Sequence, residues 1–459
     1  MHYVSTRGGV SGLSFCDAVM MGLASDGGLL VPESIPDISG ELESYRGLGY
    51  VDIAERVMGH YISDIPAEDL RQLLETSYST FDDPAVTPLV SVEDFHVLEL
   101  FHGPTLAFKD VALQFLGNVF EYILQKSGEN LNILGATSGD TGSAAIAGVR
   151  GKDNINIFIM FPEGRTSLLQ EKQMTTVLDA NVQNIAIEGS FDDCQTILKA
   201  TFSDLAFKEK YHLGAVNSVN WARVLAQVVY YFSAYVQLGM PKSFQVAVPT
   251  GNFGNIFAGY IARSMGLPIE TLILATNQND ILHRFFTTGR YERGDVHFSL
   301  SPAMDIQIAS NFERYLYFQF DRDTDKVNAF MSSFFDDGVV TSNFNTKSFD
   351  KAFKSGAVTD EETIQTITRL HQTSQYLIDP HTAVGISAGR KLRNVDVPLV
   401  CMATAHPAKF EQAMTEALPD TVVSHPSLEA LRTLPERKTR LPNDKDQVKA
   451  FIMGFNPQN

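Results

Sequence analysis

Three short stretches of the chain carry side chains whose types and spacing could do chemistry. In "FHGPTLAFKD", residues 101–110, Lys109 stands between Phe108 and Asp110, after a Gly-Pro turn and ahead of a helical run. Most lysines beside a helix start are simply solvated. Here Phe108, Val111, Leu113, Phe115 and Leu116 make the surroundings apolar, and desolvation lowers an ammonium pKa toward the neutral amine that Schiff-base chemistry requires. Lys109 is therefore a candidate nucleophile.

The second stretch, "GATSGDTGSAAIAG", follows a strand-like run and opens a helix. First-turn amides of a helix are unpaired and positively polarised, so such a turn can hold a carboxylate. Thr137, Ser138 and Thr141 add hydroxyl donors, while Gly139 and Gly142 allow a ligand close to the backbone. The third, "PTGNFGN" from Pro249 to Asn255, has the same strand, glycine turn and helix order. Backbone N–H groups in such a turn cradle a phosphate without any lysine. It is neither a GxGxxG fingerprint nor a GxxxxGK[ST] loop, and it suits one phosphate monoester held as part of a cofactor. An activated amine, a carboxylate loop and a phosphate loop are together the parts a pyridoxal phosphate enzyme requires.

These loops need a scaffold that brings them together. From about residue 95 the sequence alternates β-rich runs with helices: "LNILGA", "INIFIMFPEG", "VQNIAIEG" and "FQVAVP" are each followed by a small-residue loop and a helical segment. "VPLVCMATAHPAKFEQAMTEAL" repeats the design near the C-terminus. Such alternation implies an α/β fold with parallel strands covered by helices, and ligands then bind beyond the carboxyl ends of the strands. The first 90 or so residues read as helical and loop-rich, with "FCDAVMMGLASDGG" as a short helix stopped by two glycines. Pro84 and Pro88 mark a boundary, and the charged segment from Pro435 to Asp446 reads as exposed closing structure.

Composition narrows the function further. Lysine plus arginine total 36 against 54 aspartate plus glutamate, a net charge of −18, which disfavours nucleic acid and anionic membranes as partners. Three scattered cysteines, Cys16, Cys194 and Cys401, indicate neither a disulfide framework nor a thiolate zinc site. No leader pattern and no membrane-length apolar run is legible, so the expectation is a cytoplasmic enzyme without a metal.

The motifs "GPTLAFKD", "ATSGDTGSAA", "VPTGNFGN" and "CMATAHPAKF", in this order and with "STRG" and "ASDGGLLVPE" near the start, resemble the threonine synthases. These belong to the fold type II group of pyridoxal-phosphate enzymes, which are tryptophan synthase beta-like. The resemblance spans nearly the whole chain. It implies two parallel-sheet lobes around the cofactor and an additional helical N-terminal domain: residues 1–90 for that domain, 91–415 for the catalytic core with a small lobe near 131–240, and 416–459 for a C-terminal cover.

It also implies roles for particular residues. Lys109 would form the Schiff base with pyridoxal 5'-phosphate; Gly251, Asn252, Phe253, Gly254 and Asn255 would enclose its phosphate; Thr404 would bond the pyridine nitrogen. Asp140 stands where many fold type II enzymes carry an asparagine that meets the ring 3′ oxygen. Two anionic oxygens repel, so Asp140 is expected either to turn away or to share a proton. Asn217, Ser218 and Arg223, in "NSVNWAR", match the family's substrate-phosphate positions, against the plainer reading of Arg223 as a structural residue on a long apolar helix. Lys172 and Arg165 read as solvated, His381 and His406 as scaffold, and Trp221 with the Tyr230–Tyr231 pair as core. The activity implied is that of a lyase converting O-phospho-L-homoserine and water to L-threonine and phosphate, in a monomer or homodimer. The alternatives are a phospholyase acting on O-phosphothreonine and a non-catalytic relative.

Overall fold

The computed structural model describes residues 1–137, 139–216, 218–341 and 350–455. Ser138 and Asn217, two of the expected site residues, lie outside the described residues. The runs predicted as strands are strands: Leu131–Ala136, Ile155–Pro162, Val182–Glu188, Phe244–Pro249 and Leu399–Ala403. They divide between two sheets.

The larger sheet has six strands, in the order Phe353–Ala357, Ile269–Thr276, Phe244–Pro249, Leu399–Ala403, Phe95–Glu99 and Leu89–Val92. All neighbours run parallel except the last pair, a hairpin. The smaller sheet has five parallel strands, in the order Thr439–Pro442, Val182–Glu188, Ile155–Pro162, Leu131–Ala136 and Leu213–Gly214. Strands covered by helices on both faces must be apolar throughout. Phe244–Pro249 accordingly has no exposed or half-buried residue.

Two helices meet at the site. Lys109–Ser127 packs against Asp140–Val149 so closely that backbone meets backbone. A Cβ added at Gly117 would lie 1.9 Å from Gly148 O, and one at Gly148 would lie 2.4 Å from Leu113 O. Only glycines permit this approach, and it sets Lys109 and Asp140 at neighbouring helix starts. The buried helix Trp221–Gln237 packs against the Lys109 helix, against Gly254–Ser264, and against Tyr50–Gly59 of the N-terminal segment.

Three expectations are corrected. The first helix spans only Phe15–Met21 and closes at Gly22, whose φ of +66° ends it, well before Gly27 and Gly28. The charged tail is not merely exposed. Its residues Thr439–Pro442 add an edge strand to the small sheet, because parallel register with Ile185–Glu188 satisfies that edge. Lys172 is not solvated either: it is buried, with Nζ 2.7 Å from Glu436 Oε1, and Lys438 pairs with neighbouring Glu171. This tail clamps the helix Leu168–Thr175.

Candidate active site

Lys109 is placed by the end of the strand Leu399–Ala403. Phe108 N donates to Thr404 O at 2.8 Å, His406 N to Leu106 O at 3.1 Å, and Ala107 bridges Ala405 between them. The loops carrying "LAFK" and "ATAH" thus run side by side, bringing Lys109 and Thr404 together from positions 295 residues apart. Asp110 fixes the approach: its carboxylate accepts from Thr105 N at 2.8 Å and Thr105 Oγ1 at 2.7 Å. Burial pushes the Asp110 carboxyl up to about 6, against those donors. Asp110 therefore organises the loop.

The Lys109 side chain is 12% exposed, open on one side, with Nζ 3.7 Å from Asp140 Oδ2. Burial lowers its pKa; Asp140 opposes this, while Lys409 and Arg223 push in the same direction as burial. The apolar setting read from the sequence thus has the electrostatic consequence expected of it.

Asp140 is a buried, paired carboxylate. Its Oδ1 receives Lys409 Nζ at 2.8 Å and Gln170 Nε2 at 3.0 Å, while Oδ2 faces Lys109. Burial alone would raise its pKa, but Lys409 and Lys109 hold it well below the usual carboxylate range. Beside it, the Thr137 hydroxyl accepts from Gly139 N and Gly142 N at 3.0 and 3.1 Å and donates to Gly139 O. Thr137 thereby shapes the turn from within. Thr141 lies half-buried in the first turn of the Asp140 helix.

The phosphate-type loop closes in the same region. Phe253 takes a left-handed φ of 65° at the cap of Gly254–Ser264, with its ring buried against Phe312 and Tyr315. A Cβ at Gly251 would meet Ala303 O at 2.6 Å, so no side chain fits. Asn252 O accepts from Asn311 N and Nδ2, both at 3.1 Å. Asn255 Oδ1 accepts from Tyr230 Oη at 2.7 Å and Tyr231 Oη at 3.0 Å, leaving Nδ2 buried without a partner among the described residues.

Arg223, on the first turn of Trp221–Gln237, is likewise buried with Nε and Nη1 unpaired among the described residues. Burial lowers its pKa to about 10, which leaves it charged at neutral pH. Buried guanidinium donors are ordinarily paired, so Arg223 is a candidate for binding an anion. Ser218 Oγ lies 2.9 Å from Ser310 Oγ, which in turn donates to Asn252 Oδ1. These loops are fastened to the N-terminal segment through consecutive residues of the helix Phe312–Gln319. Glu313 accepts from Thr6 and Arg7 of "STRG", while buried Arg314 donates to Leu30 O and Val219 O.

The histidines have structural work. His381 Nδ1 is 2.8 Å from Asp379 Oδ1, and its Nε2 accepts from Ala303 N. Asp379 also holds Thr382, whose hydroxyl accepts from Thr404 N at 3.2 Å. His406 Nδ1 accepts from Ala408 N.

Comparison with known proteins adds a second line of observation. The family described as "Pyridoxal-phosphate dependent enzyme" matches residues 81–404, "Threonine synthase N terminus" matches 2–78, and "Threonine synthase, C-terminal" matches 382–452. A threonine synthase from Pseudomonas aeruginosa is 49% identical, covering 98% of each chain. The chain belongs to the threonine synthase family of pyridoxal-phosphate dependent enzymes. A threonine synthase from Schizosaccharomyces pombe is 47% identical over 91% of this chain and 89% of its own. The crystal structure of a PLP-bound threonine synthase from Brucella melitensis superposes with a TM-score of 0.96 at 45% identity, covering 98% of each chain.

The residues present fit the cofactor of this threonine synthase family member. An amine with lowered basicity stands at the start of the Lys109 helix, and the loop of Gly251 has no room for a side chain. The Asn255 amide supplies a buried donor that has no acceptor among the described residues, which suits a phosphate. Sequence reasoning missed Lys409, Gln170 and Gln227, and it read Tyr230 and Tyr231 as plain core. The spacing Arg223, Gln227, Tyr230, Tyr231 was the available signal, since it puts one guanidinium, one amide and two phenols on one helix face.

Proposed function

We propose that the chain converts O-phospho-L-homoserine and water to L-threonine and inorganic phosphate, by γ-elimination followed by β-addition of water. The observation that carries this reading is the buried Arg223 guanidinium with two unpaired nitrogens, separate from the loop of Gly251–Asn255. One anion receptor holds a cofactor phosphate; a second is needed only if the substrate also bears one. Arg223 and Ser218 receive the substrate phosphate, and the first-turn amides of the Asp140 helix with Thr141 receive its carboxylate.

Pyridoxal phosphate, held through Lys109, the amides near Gly251 and Asn255, and Thr404 at its ring nitrogen, supplies the electron sink that makes the substrate's α- and β-protons removable. Lys109 Nζ takes the α-proton, gives it up, and, a neutral amine again, takes a β-proton, its burial disfavouring the charged form between the two steps. Arg223 stabilises the departing phosphate at the γ-carbon, Lys109 returns the β-proton there, water adds its hydroxyl at the β-carbon while its proton goes to the phosphate, and the α-carbon regains a proton. The N-terminal segment, through Glu313 and Arg314, keeps the Ser218 and Asn252 loops registered during these steps. Three free cysteines support a reducing cytoplasm as the working compartment, where the enzyme acts on its small-molecule substrate as a monomer or homodimer.

The test is a paired assay on purified protein. Threonine and phosphate released together from O-phospho-L-homoserine support the reading. 2-Oxobutyrate from O-phospho-L-threonine, with no threonine from the first substrate, would replace it by the phospholyase.

A further inference from the structure

Lys409 is a charged residue of this site that the reaction just described does not use. Its side chain is 0% exposed, and its Nζ has two partners: Asp140 Oδ1 at 2.8 Å and Thr105 O at 2.7 Å. It therefore ties the "AHPAKF" loop to both the Asp140 helix and the Lys109 loop. Asp140 meets two ammonium groups unequally. Lys409 is within hydrogen-bond distance, whereas Lys109 at 3.7 Å is beyond it.

We propose that Lys409 is the resident counter-ion of Asp140 and, by occupying that carboxylate, keeps Lys109 an uncharged amine free to capture the cofactor's aldehyde. A buried carboxylate with Lys109 as its sole cation would form a direct ion pair and hold Lys109 protonated, since an opposite charge favours the charged form. With Lys409 in place the carboxylate is already neutralised, and the extra positive charge near Lys109 disfavours its protonation. Arg223 from the Trp221 helix acts in the same direction. The remaining acids and bases facing this cluster are otherwise engaged: Asp110 by Thr105, and His381 by Asp379 and Ala303 N. Lys409 is thus a positioning residue acting through Asp140. The inference rests on Lys109 being the amine that binds the cofactor.

The test follows cofactor capture, not turnover. Full-length protein stripped of cofactor is mixed with pyridoxal phosphate across a pH series, quenched with borohydride, and the adduct located and quantified by peptide mass spectrometry. Wild type should modify Lys109. Lys409→Met should move the midpoint of the rate profile up by about one pH unit or more, slowing capture near neutrality by about tenfold. Lys409→Arg should keep the wild-type midpoint. Asp140→Asn should move it down, and adding Lys409→Met to Asp140→Asn should produce a smaller upward shift than Lys409→Met produces alone. Superimposable wild-type and Lys409→Met profiles would overturn the proposal. Should Lys409→Met fail to fold, an unmoved midpoint in Asp140→Asn overturns it equally. Modification of wild type at another lysine would instead defeat the reading of Lys109, so the two failures are distinct.

Discussion

Tyr230 Oη lies 2.7 Å from Asn255 Oδ1, and Tyr231 Oη approaches the same oxygen at 3.0 Å. Tyr230 donates to this oxygen, and the one Tyr231 proton is shared between it and Asn255 O at 2.8 Å, so the amide is held with Nδ2 turned away from the phenols. Gln227 extends the same face, with Nε2 donating to Arg223 O at 2.8 Å and Oε1 accepting from Tyr230 at 3.3 Å. One helix face therefore carries Arg223, Gln227, Tyr230 and Tyr231 together.

Removing one phenol should loosen the amide without removing it. Tyr230→Phe or Tyr231→Phe should weaken pyridoxal phosphate binding by about fivefold, the worth of about 1 kcal/mol in a neutral hydrogen bond. Asn255→Ala should weaken it more, by roughly 10- to 150-fold for a bond to a charged group. Equilibrium dialysis of the cofactor measures both, and equal affinity in all three variants would remove the tyrosines from this role.

Arg223 separates stability from activity. An unpaired buried guanidinium is unfavourable for the free fold, so Arg223→Met should raise the melting temperature of the ligand-free protein. The same change should lower kcat/KM for O-phospho-L-homoserine by about 10- to 150-fold, through loss of charge-assisted hydrogen bonds. Cofactor affinity should be unchanged. A variant that melts lower and turns over normally would return Arg223 to the scaffold.

Much of this architecture was legible in the sequence, because its strands are continuous apolar runs and its helices begin at small-residue loops. Lys109 was legible because five apolar neighbours flank it locally. Lys409 was not: its partners Thr105 and Asp140 lie 304 and 269 positions earlier, and nothing within its own loop announces a buried ammonium. The carboxylate at Asp140 reads as anomalous in the sequence, and the cation paired with it comes from a distant segment. Lys172 was misread for a similar reason, as its partner Glu436 comes from the tail.

The glycine contact between the two site helices should tolerate no side chain. Gly117→Ala or Gly148→Ala forces backbones apart, and overpacking of this kind destabilises by about 1–3 kcal/mol. Denaturant unfolding should show that loss. Wild-type stability in both variants would contradict the backbone contact.

His406 should govern part of the acid sensitivity. Burial, reinforced by His425, pushes its pKa down to about 4, with Asp379 opposing and His102 adding to the shift. Between about 6.5, the ordinary histidine value, and about 4, the unfolded chain binds a proton that the folded chain does not. Stability therefore falls as pH drops through that window. His406→Asn, which can still accept from Ala408 N, should flatten the fall. Melting curves from pH 7 to pH 4 for both proteins measure it, and parallel curves would count against the assignment.

The most direct measurement of the central claim is where the cofactor is attached in the holoenzyme. Borohydride reduction followed by peptide mapping should place the pyridoxyl group on Lys109, and Lys109→Ala should show neither the adduct nor visible absorbance. An adduct on Lys409 or any other lysine, or a Lys109→Ala protein that keeps its colour and turnover, would contradict the account.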